Sequence, residues 1–148
     1  MGTHVLVAFD ESPQAEAALE YALQKFEDAT ITVLHVTDPR EWITASDEFD
    51  SFYSEVSYER VQEATQEVFD RAREIATEYG RDVQTESVTG KPSDEIVEYA
   101  DDHDVDHVVV GSHGRTGLER FLIGSVAERV VRRSPVPVTV MRERREDE

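Results

Sequence analysis

The sequence predicts a single α/β domain built on an open five-stranded parallel sheet, and three observations support that expectation. Brief apolar runs rich in β-branched residues recur five times along the 148 residues. Segments with a helical apolar period separate them. One run, Val108 to Val110, stops at a glycine and passes through a glycine-rich turn into a helix start at Gly124-Ser125. Alternation of this kind implies parallel strands joined by right-handed crossovers, with helices on both faces of the sheet. Ligands of such sheets sit outside the carboxyl ends of the strands, where the strand order reverses. The alternation alone leaves that order open.

Taken in order, His4–Phe9 (HVLVAF) is a buried strand that ends at Asp10. Ser12 is placed as an N-cap with Pro13 at the first helical position. Ala15, Ala18, Leu19, Ala22, Leu23 and Phe26 then fall on one helix face. Thr30–Val36 (TITVLHV) is short and β-branched, a second strand. Thr37–Ser57 holds Pro39, Trp42 and several acids without a sustained period. A partly ordered loop near the strand ends, with a helical start, is expected there. Val61, Ala64, Val68, Ala72, Ile75, Ala76 and Tyr79 mark a long amphipathic helix over 58–79, with Gly80 placed to end it. Val83–Val88 is a more polar strand that suits a sheet edge. Gly90-Lys91-Pro92-Ser93 reads as a turn plus an N-cap, ahead of a helix bearing Ile96, Val97 and Ala100. Val126, Ala127, Val130 and Val131 belong to a fourth helix, which Ser134-Pro135 breaks, and Val136–Met141 (VPVTVM) is the last strand. The domain is expected to span residues 1–142, with 143–148 a solvated charged tail.

Composition narrows the function classes. With no cysteine, disulfides, thiolate metal sites and cysteine catalysis are excluded together. No run approaches the roughly 18 apolar residues of a membrane span, and a soluble, cytoplasmic protein is expected. There are 33 Asp and Glu against 15 Lys and Arg, a net charge of −18, spread along the chain rather than gathered in one arm. A surface so rich in carboxylates argues against binding nucleic acid or anionic membranes. It suits a high-salt cytoplasm, where screening confines self-repulsion to about 3 Å at 1 M ionic strength. A halophilic source is therefore expected.

The stretch His107–Val126 (HVVVGSHGRTGLERFLIGSV) has the order strand, glycine-rich turn, helix start. Glycines let backbone N–H groups approach a ligand, and a helix start adds unpaired donors and partial positive charge. This is a phosphate cradle made of backbone. Its spacing, Gly111-x2-Gly114-x9-Gly124-Ser125, is neither G-x4-G-K-[ST] nor G-x-G-x-x-G. It closely resembles the nucleotide-binding pattern of the universal stress protein family, in the branch that binds ATP. The resemblance covers nearly the whole chain. It includes the first strand ending at Asp10 with Ser12 after it, Gly90-Lys91-Pro92, the run Asp106–Ser125, and Pro135-Val136-Pro137-Val138.

The resemblance implies an adenine nucleotide alpha hydrolase-like fold with strand order 3-2-1-4-5. It implies that Gly111 and Gly114 cradle phosphates, with Ser112, His113, Arg115, Thr116 and Gly117 in the same loop. Gly124, Ser125, Val126 and Ala127 would form the helix-start half. Asp10 would face the ribose or a phosphate-bound metal (Mg²⁺ or Mn²⁺), Ala8 would pack beside the nucleotide, and the Val36 backbone would meet the adenine edge. Family members commonly dimerise through the last strand, and here Val136, Val138 and Val140 alternate along a strand that would otherwise be an exposed apolar edge. The implied protein is a homodimer that binds ATP and whose nucleotide state tunes a stress response. The acidity departs from family habit. It leaves Arg115 as the cradle's one cation before Arg120, so tight anion binding is expected to need Mg²⁺ or high salt.

Each assignment has a plainer rival. The glycines could mark only a tight turn, and Asp10 could be a capping or strand-end residue. Ser125 could be an N-cap, a role compatible with phosphate binding. His113 has no serine or carboxylate partner in triad-like order and reads as a loop residue. His103 and His107 lie in a helix-to-strand turn, which favours a solvated surface over a metal site. Arg129, Arg132 and Arg133 are expected on the exposed face of the last helix. Two alternatives remain at the level of function: a dimeric interaction protein of this fold that binds no nucleotide, and a slow ATP hydrolase. No general base for water and no arginine finger is assigned, so discrete catalysis is not expected.

Overall fold

Continuous burial along β-forming runs such as 5–7 and 108–110, on both strand faces, and one apolar stripe along each helix call for a sheet between two helical layers. The computed structural model describes residues 2–39, 51–113 and 123–142, the side chains of 51–57 excepted. In chain order the elements are β1 (His4–Ala8), α1 (Pro13–Lys25), β2 (Thr30–Thr37), α2 (Ser51–Glu78) and β3 (Gln84–Thr89), followed by α3 (Pro92–Asp102), β4 (His107–Gly111), α4 (Ser125–Arg133) and β5 (Val138–Met141). The sheet has five strands in the order β3-β2-β1-β4-β5, and every pairing is parallel. Val7 of β1 is in register with Val33 of β2 on one side and Val109 of β4 on the other. The strand order reverses between β1 and β4, so a crevice opens where their carboxyl ends diverge.

Strand alternation divides the core. Val5, Val7, Ile31, Val33 and Val109 pack with the apolar faces of α1 and α2, whereas Leu6, Leu34, Val108 and Val110 pack with α3 and α4. Val5, Leu6, Val7, Val33, Val108 and Val109 have no solvent exposure. Side chains of this kind contribute about 1.5–3 kcal/mol each when fully buried. The polar strand expected at a sheet edge is β3, which pairs with β2 alone among the described residues.

Ser12 caps α1 as its position suggests, its Oγ accepting from the Ala15 N–H at 3.1 Å. The other end of α1 is held from a distance. The Arg81 guanidinium donates to the carbonyls of Leu23 (2.9 Å), Phe26 (3.0 Å) and Ala29 (2.7 Å). These carbonyls border the turn into β2, where α1 leaves acceptors unpaired.

Three boundaries differ from the sequence reading by more than one residue. Helix α2 begins at Ser51 rather than near Tyr58. Once its buried turns have formed, each residue added upstream closes a further hydrogen bond without a nucleation cost, so the helix outruns its apolar period. Residues 40–50 of the expected loop lie outside the described residues. Helix α3 is capped by Lys91, not Ser93, because Pro92 lacks an N–H and takes the first helical position. Ser93 is buried inside the first turn. The last strand starts at Val138, after Pro137, which has no N–H to give to a ladder.

The two histidines of the helix-to-strand turn are engaged separately. His107 meets Thr139 Oγ1 at 2.7 Å through Nε2, and burial lowers its pKa. The His103 ring stacks on Tyr99 at 3.8 Å. Among the described residues, no group of three or more His, Asp or Glu is arranged to hold a metal ion. On β5 and its approach, Val136, Val138 and Val140 turn toward the α3–α4 layer and are partly buried there.

The carboxyl end of β4 lies directly under the start of α1. A Cβ built on Gly111 would sit 2.7 Å from Gln14 Cβ, 2.9 Å from the Gln14 carbonyl carbon and 3.0 Å from the Ala15 nitrogen. Two of these neighbours are backbone, so a larger residue must displace the helix. Gly111→Ala is expected to lower unfolding stability by about 1–3 kcal/mol, the range for overpacking. Urea denaturation followed by circular dichroism measures it, and a loss below about 0.5 kcal/mol would show that α1 moves aside freely.

Candidate functional site

At the crevice the carboxyl ends of β1, β2 and β4 and the first turns of α1, α3 and α4 surround a cavity of about 350 Å³. That is within the usual range for a small-molecule site. Its walls are of two kinds. Leu34, Val36, Pro92, Ile96 and Val110 form an apolar side toward β2 and α3. Asp10, Ser12, His113, Gly124 and Ser125 form a polar side toward α1 and α4.

The three helix starts are not equivalent. In α1 the Ser12 hydroxyl already accepts from a first-turn N–H. No side chain caps α3 either, but its first helical residue, like that of α1, is a proline with no N–H. In α4 the N-cap is Gly124, in extended conformation (φ −64°, ψ 158°), and no side chain caps the helix. Ser125 therefore takes the first helical position rather than the cap. The donors at the start of α4 are consequently the ones most open to a ligand, and the helix dipole adds partial positive charge beside them. A bound anion belongs at this end, and a flat apolar group fits the Leu34–Ile96 side.

Gly124 is a glycine because the chain folds back on itself. Its N–H donates to the Ser112 carbonyl at 2.7 Å, and a Cβ on it would meet His113 Cα and Cβ, each at 3.1 Å. Ser112 also donates its N–H to the Met141 carbonyl at 2.7 Å, tying the end of β4 to β5.

Asp10 follows β1, and one of its carboxylate oxygens accepts the Ser12 N–H at 3.0 Å. It thus has the turn-forming role that its position also allowed. Its second oxygen has no partner among the described residues. Glu11, between them, has positive φ (67°), a backbone conformation that is uncommon outside glycine and concentrated at functional turns. No lysine or arginine lines the cavity among the described residues.

Of the residues singled out from the sequence, Ala8, Asp10, Val36, Gly111, His113, Gly124, Ser125, Val126 and Ala127 line the cavity together. Ser112 is buried beneath it, 4% exposed, and lines no part of it. Gly114, Arg115, Thr116 and Gly117 lie outside the described residues. Sequence reasoning missed Leu34, Pro92 and Ile96. Their signal was positional: one near the carboxyl end of a strand, two in the first turns of a helix that starts at the crevice.

The universal stress protein family model matches residues 1–142. Universal stress protein MJ0531 of Methanocaldococcus jannaschii is 34% identical over 140 residues, covering 93% of this chain and 81% of that protein. Protein MJ0577 of the same organism is 33% identical over 153 residues, covering 93% of each chain. Its solved structure superposes with a TM-score of 0.79 over 99% of both chains. A universal stress protein solved in complex with cAMP is 26% identical and gives a TM-score of 0.65, covering 97% of this chain and 98% of that one. The fold is the adenine nucleotide alpha hydrolase-like fold of these structures. By sequence along nearly its whole length and by the order of its strands, the chain belongs to the universal stress protein family.

Proposed function

We propose that this protein binds an adenine nucleotide, ATP with a divalent cation, and that nucleotide occupancy regulates its part in a stress response. The observation that supports this most is the two-sided cavity. An apolar wall that includes Leu34, Val36, Pro92 and Ile96 faces the start of α4, which no side chain caps, across a space suited to a base, a sugar and phosphates. The relative bound to cAMP adds that a nucleotide occupies a member of this family.

In this reading the base lies along Val36 and Pro92, Ala8 and Gly111 approach the sugar, and the N–H groups of Ser125, Val126 and Ala127 bind phosphate. Gly114, Arg115, Thr116 and Gly117 are assigned to the same phosphate loop on their motif positions. With a cavity free of lysine and arginine among the described residues, phosphate charge needs a partner. One carboxylate cannot hold a cation alone, but Mg²⁺ or Mn²⁺ shared between nucleotide phosphates and water needs only one or two. The Asp10 oxygen that has no partner among the described residues suits that role. No group is assigned to activate water, so turnover is slow or absent.

Nucleotide recovered from protein purified in molar KCl with Mg²⁺ and analysed after denaturation tests this. Stoichiometric ATP is expected. ADP or AMP would point to hydrolysis, and the absence of nucleotide together with no calorimetric binding would leave a dimeric interaction protein. Ser125→Ala should weaken ATP binding by about 0.5–1.5 kcal/mol, one hydrogen bond. An unchanged affinity would remove the hydroxyl from the site.

We assign the protein to the cytoplasm of a halophile, as a homodimer paired through β5. Its outer edge pairs with nothing among the described residues, and an open edge is a template for a second strand. Sedimentation in molar KCl should give the dimer mass, and a monomer at micromolar concentrations would contradict the pairing. With a net charge of −18, self-repulsion should weaken the fold as salt is withdrawn. Thermal melts by circular dichroism are expected to move to lower temperature from molar KCl to dilute buffer, and no shift would remove the halophilic assignment.

A further inference from the structure

Gly111 and Gly124 make room for two side chains that meet each other. Gly111 gives way to Gln14, the second residue of α1, whose Cβ would be 2.7 Å from any Cβ placed there. Gly124 gives way to His113, at 3.1 Å from both its Cα and its Cβ. Gln14 Nε2 then lies 3.2 Å from His113 Nδ1, close enough to donate to it. The pair joins α1 to the segment where β4 hands over to the start of α4.

We propose that Gln14 is a positioning residue for the phosphate end of the cavity, holding His113 and, through it, the uncapped start of α4 in place to receive phosphate. The inference rests on the nucleotide reading above. Gln14 is 5% exposed, a setting in which an apolar side chain would serve stability better. Its Oε1 and the Nε2 of His113 are both buried with no hydrogen-bond partner among the described residues. A half-satisfied buried polar pair is a cost that packing alone does not explain, and such costs concentrate where geometry matters for function.

The coupling has a short path. The amide of Gln14 holds the imidazole, and the Cα and Cβ of the same histidine form the surface against which Gly124 closes. Gly124 is anchored to the Ser112 carbonyl at 2.7 Å, and its own carbonyl accepts the Glu128 N–H at 3.0 Å as the first bond of α4. A shift of His113 as a whole, once its ring loses that anchor, would therefore move the cap of the helix whose N–H groups face the ligand. The apolar wall at Leu34, Val36 and Ile96 belongs to β2 and α3, elements that the pair does not join. Gln14 is thus predicted to govern affinity for phosphate and not for the base.

Calorimetric titration of the full chain in molar KCl with Mg²⁺, using ATP and adenosine as separate probes, makes the test. Gln14→Leu should weaken ATP binding roughly tenfold, the scale of one buried hydrogen bond. Adenosine affinity should stay within about twofold of the wild type. His113→Phe should reproduce the ATP loss, and the double variant should lose no more than either single, as expected for groups acting through one contact. If Gln14→Leu does not fold, the ATP-against-adenosine comparison on His113→Phe decides in its place. Wild-type ATP affinity in Gln14→Leu, equal losses for ATP and adenosine, or a double-variant loss equal to the product of the singles would each overturn the proposal. A wild-type protein that binds neither probe would overturn this inference and the nucleotide reading together. Tight binding by the wild type with no effect of the variants would overturn this inference alone.

Discussion

The constraint on which the rest depends is steric: two helices must begin within van der Waals distance of the end of one strand. α1 starts against Gly111, and the cap of α4 closes against His113, two residues further on. An ordinary Cβ at Gly111 would force α1 to shift, and one at Gly124 would press on His113 and the Ser112 carbonyl at 3.1 Å. Because both helices come so close, their first turns border the same small space at the β1–β4 switch. The glycines usually credited to ligand contact are, in this chain, first a condition of packing. Backbone access for a ligand follows from the same missing side chains.

The cavity has direction because the helix starts are finished differently. Prolines begin α1 and α3, a serine also caps α1, and α4 follows a glycine with neither. Three local choices of residue thus place hydrogen-bonding capacity at one end and apolar surface at the other. The strands contribute the second end: Leu34 and Val36 near the end of β2 and Val110 on β4 face the α3–α4 layer, so their side chains reach the cavity from below. Among the described residues no lysine or arginine is on the lining, and backbone dipoles supply the positive potential there. An exterior of net charge −18 makes that local reversal of sign more consequential, since an anionic ligand meets repulsion everywhere else.

The fold was legible because its signals were redundant. The apolar run from Val5 to Phe9 and the stripe from Ala15 to Phe26 each specify an element by period, and their alternation implies parallel pairing. Strand order came from family resemblance, since spacing holds no information about which strands lie side by side. Boundaries were less legible. The start of α2 at Ser51 precedes its apolar period, because helix propagation needs no buried face, and Pro92 displaced the cap from Ser93 to Lys91. In the site, Asp10, Gly111, Gly124 and Ser125 stood out as strand ends or glycines. Gln14 was invisible: a polar residue in a first helical turn is ordinarily solvated, and only the tertiary approach of β4 buries it.

The central claim is that the start of α4 is the phosphate end of an adenine-nucleotide cavity. Backbone amide shifts of a ¹⁵N-labelled sample in molar KCl with Mg²⁺, titrated in parallel with ATP and adenosine, address it most directly. The claim predicts that ATP shifts the Ser125, Val126 and Ala127 amides strongly, while adenosine leaves them near their free positions and perturbs the backbone around Val36. Equal shifts of the α4 amides with both ligands, or none with ATP while other regions respond, would contradict it.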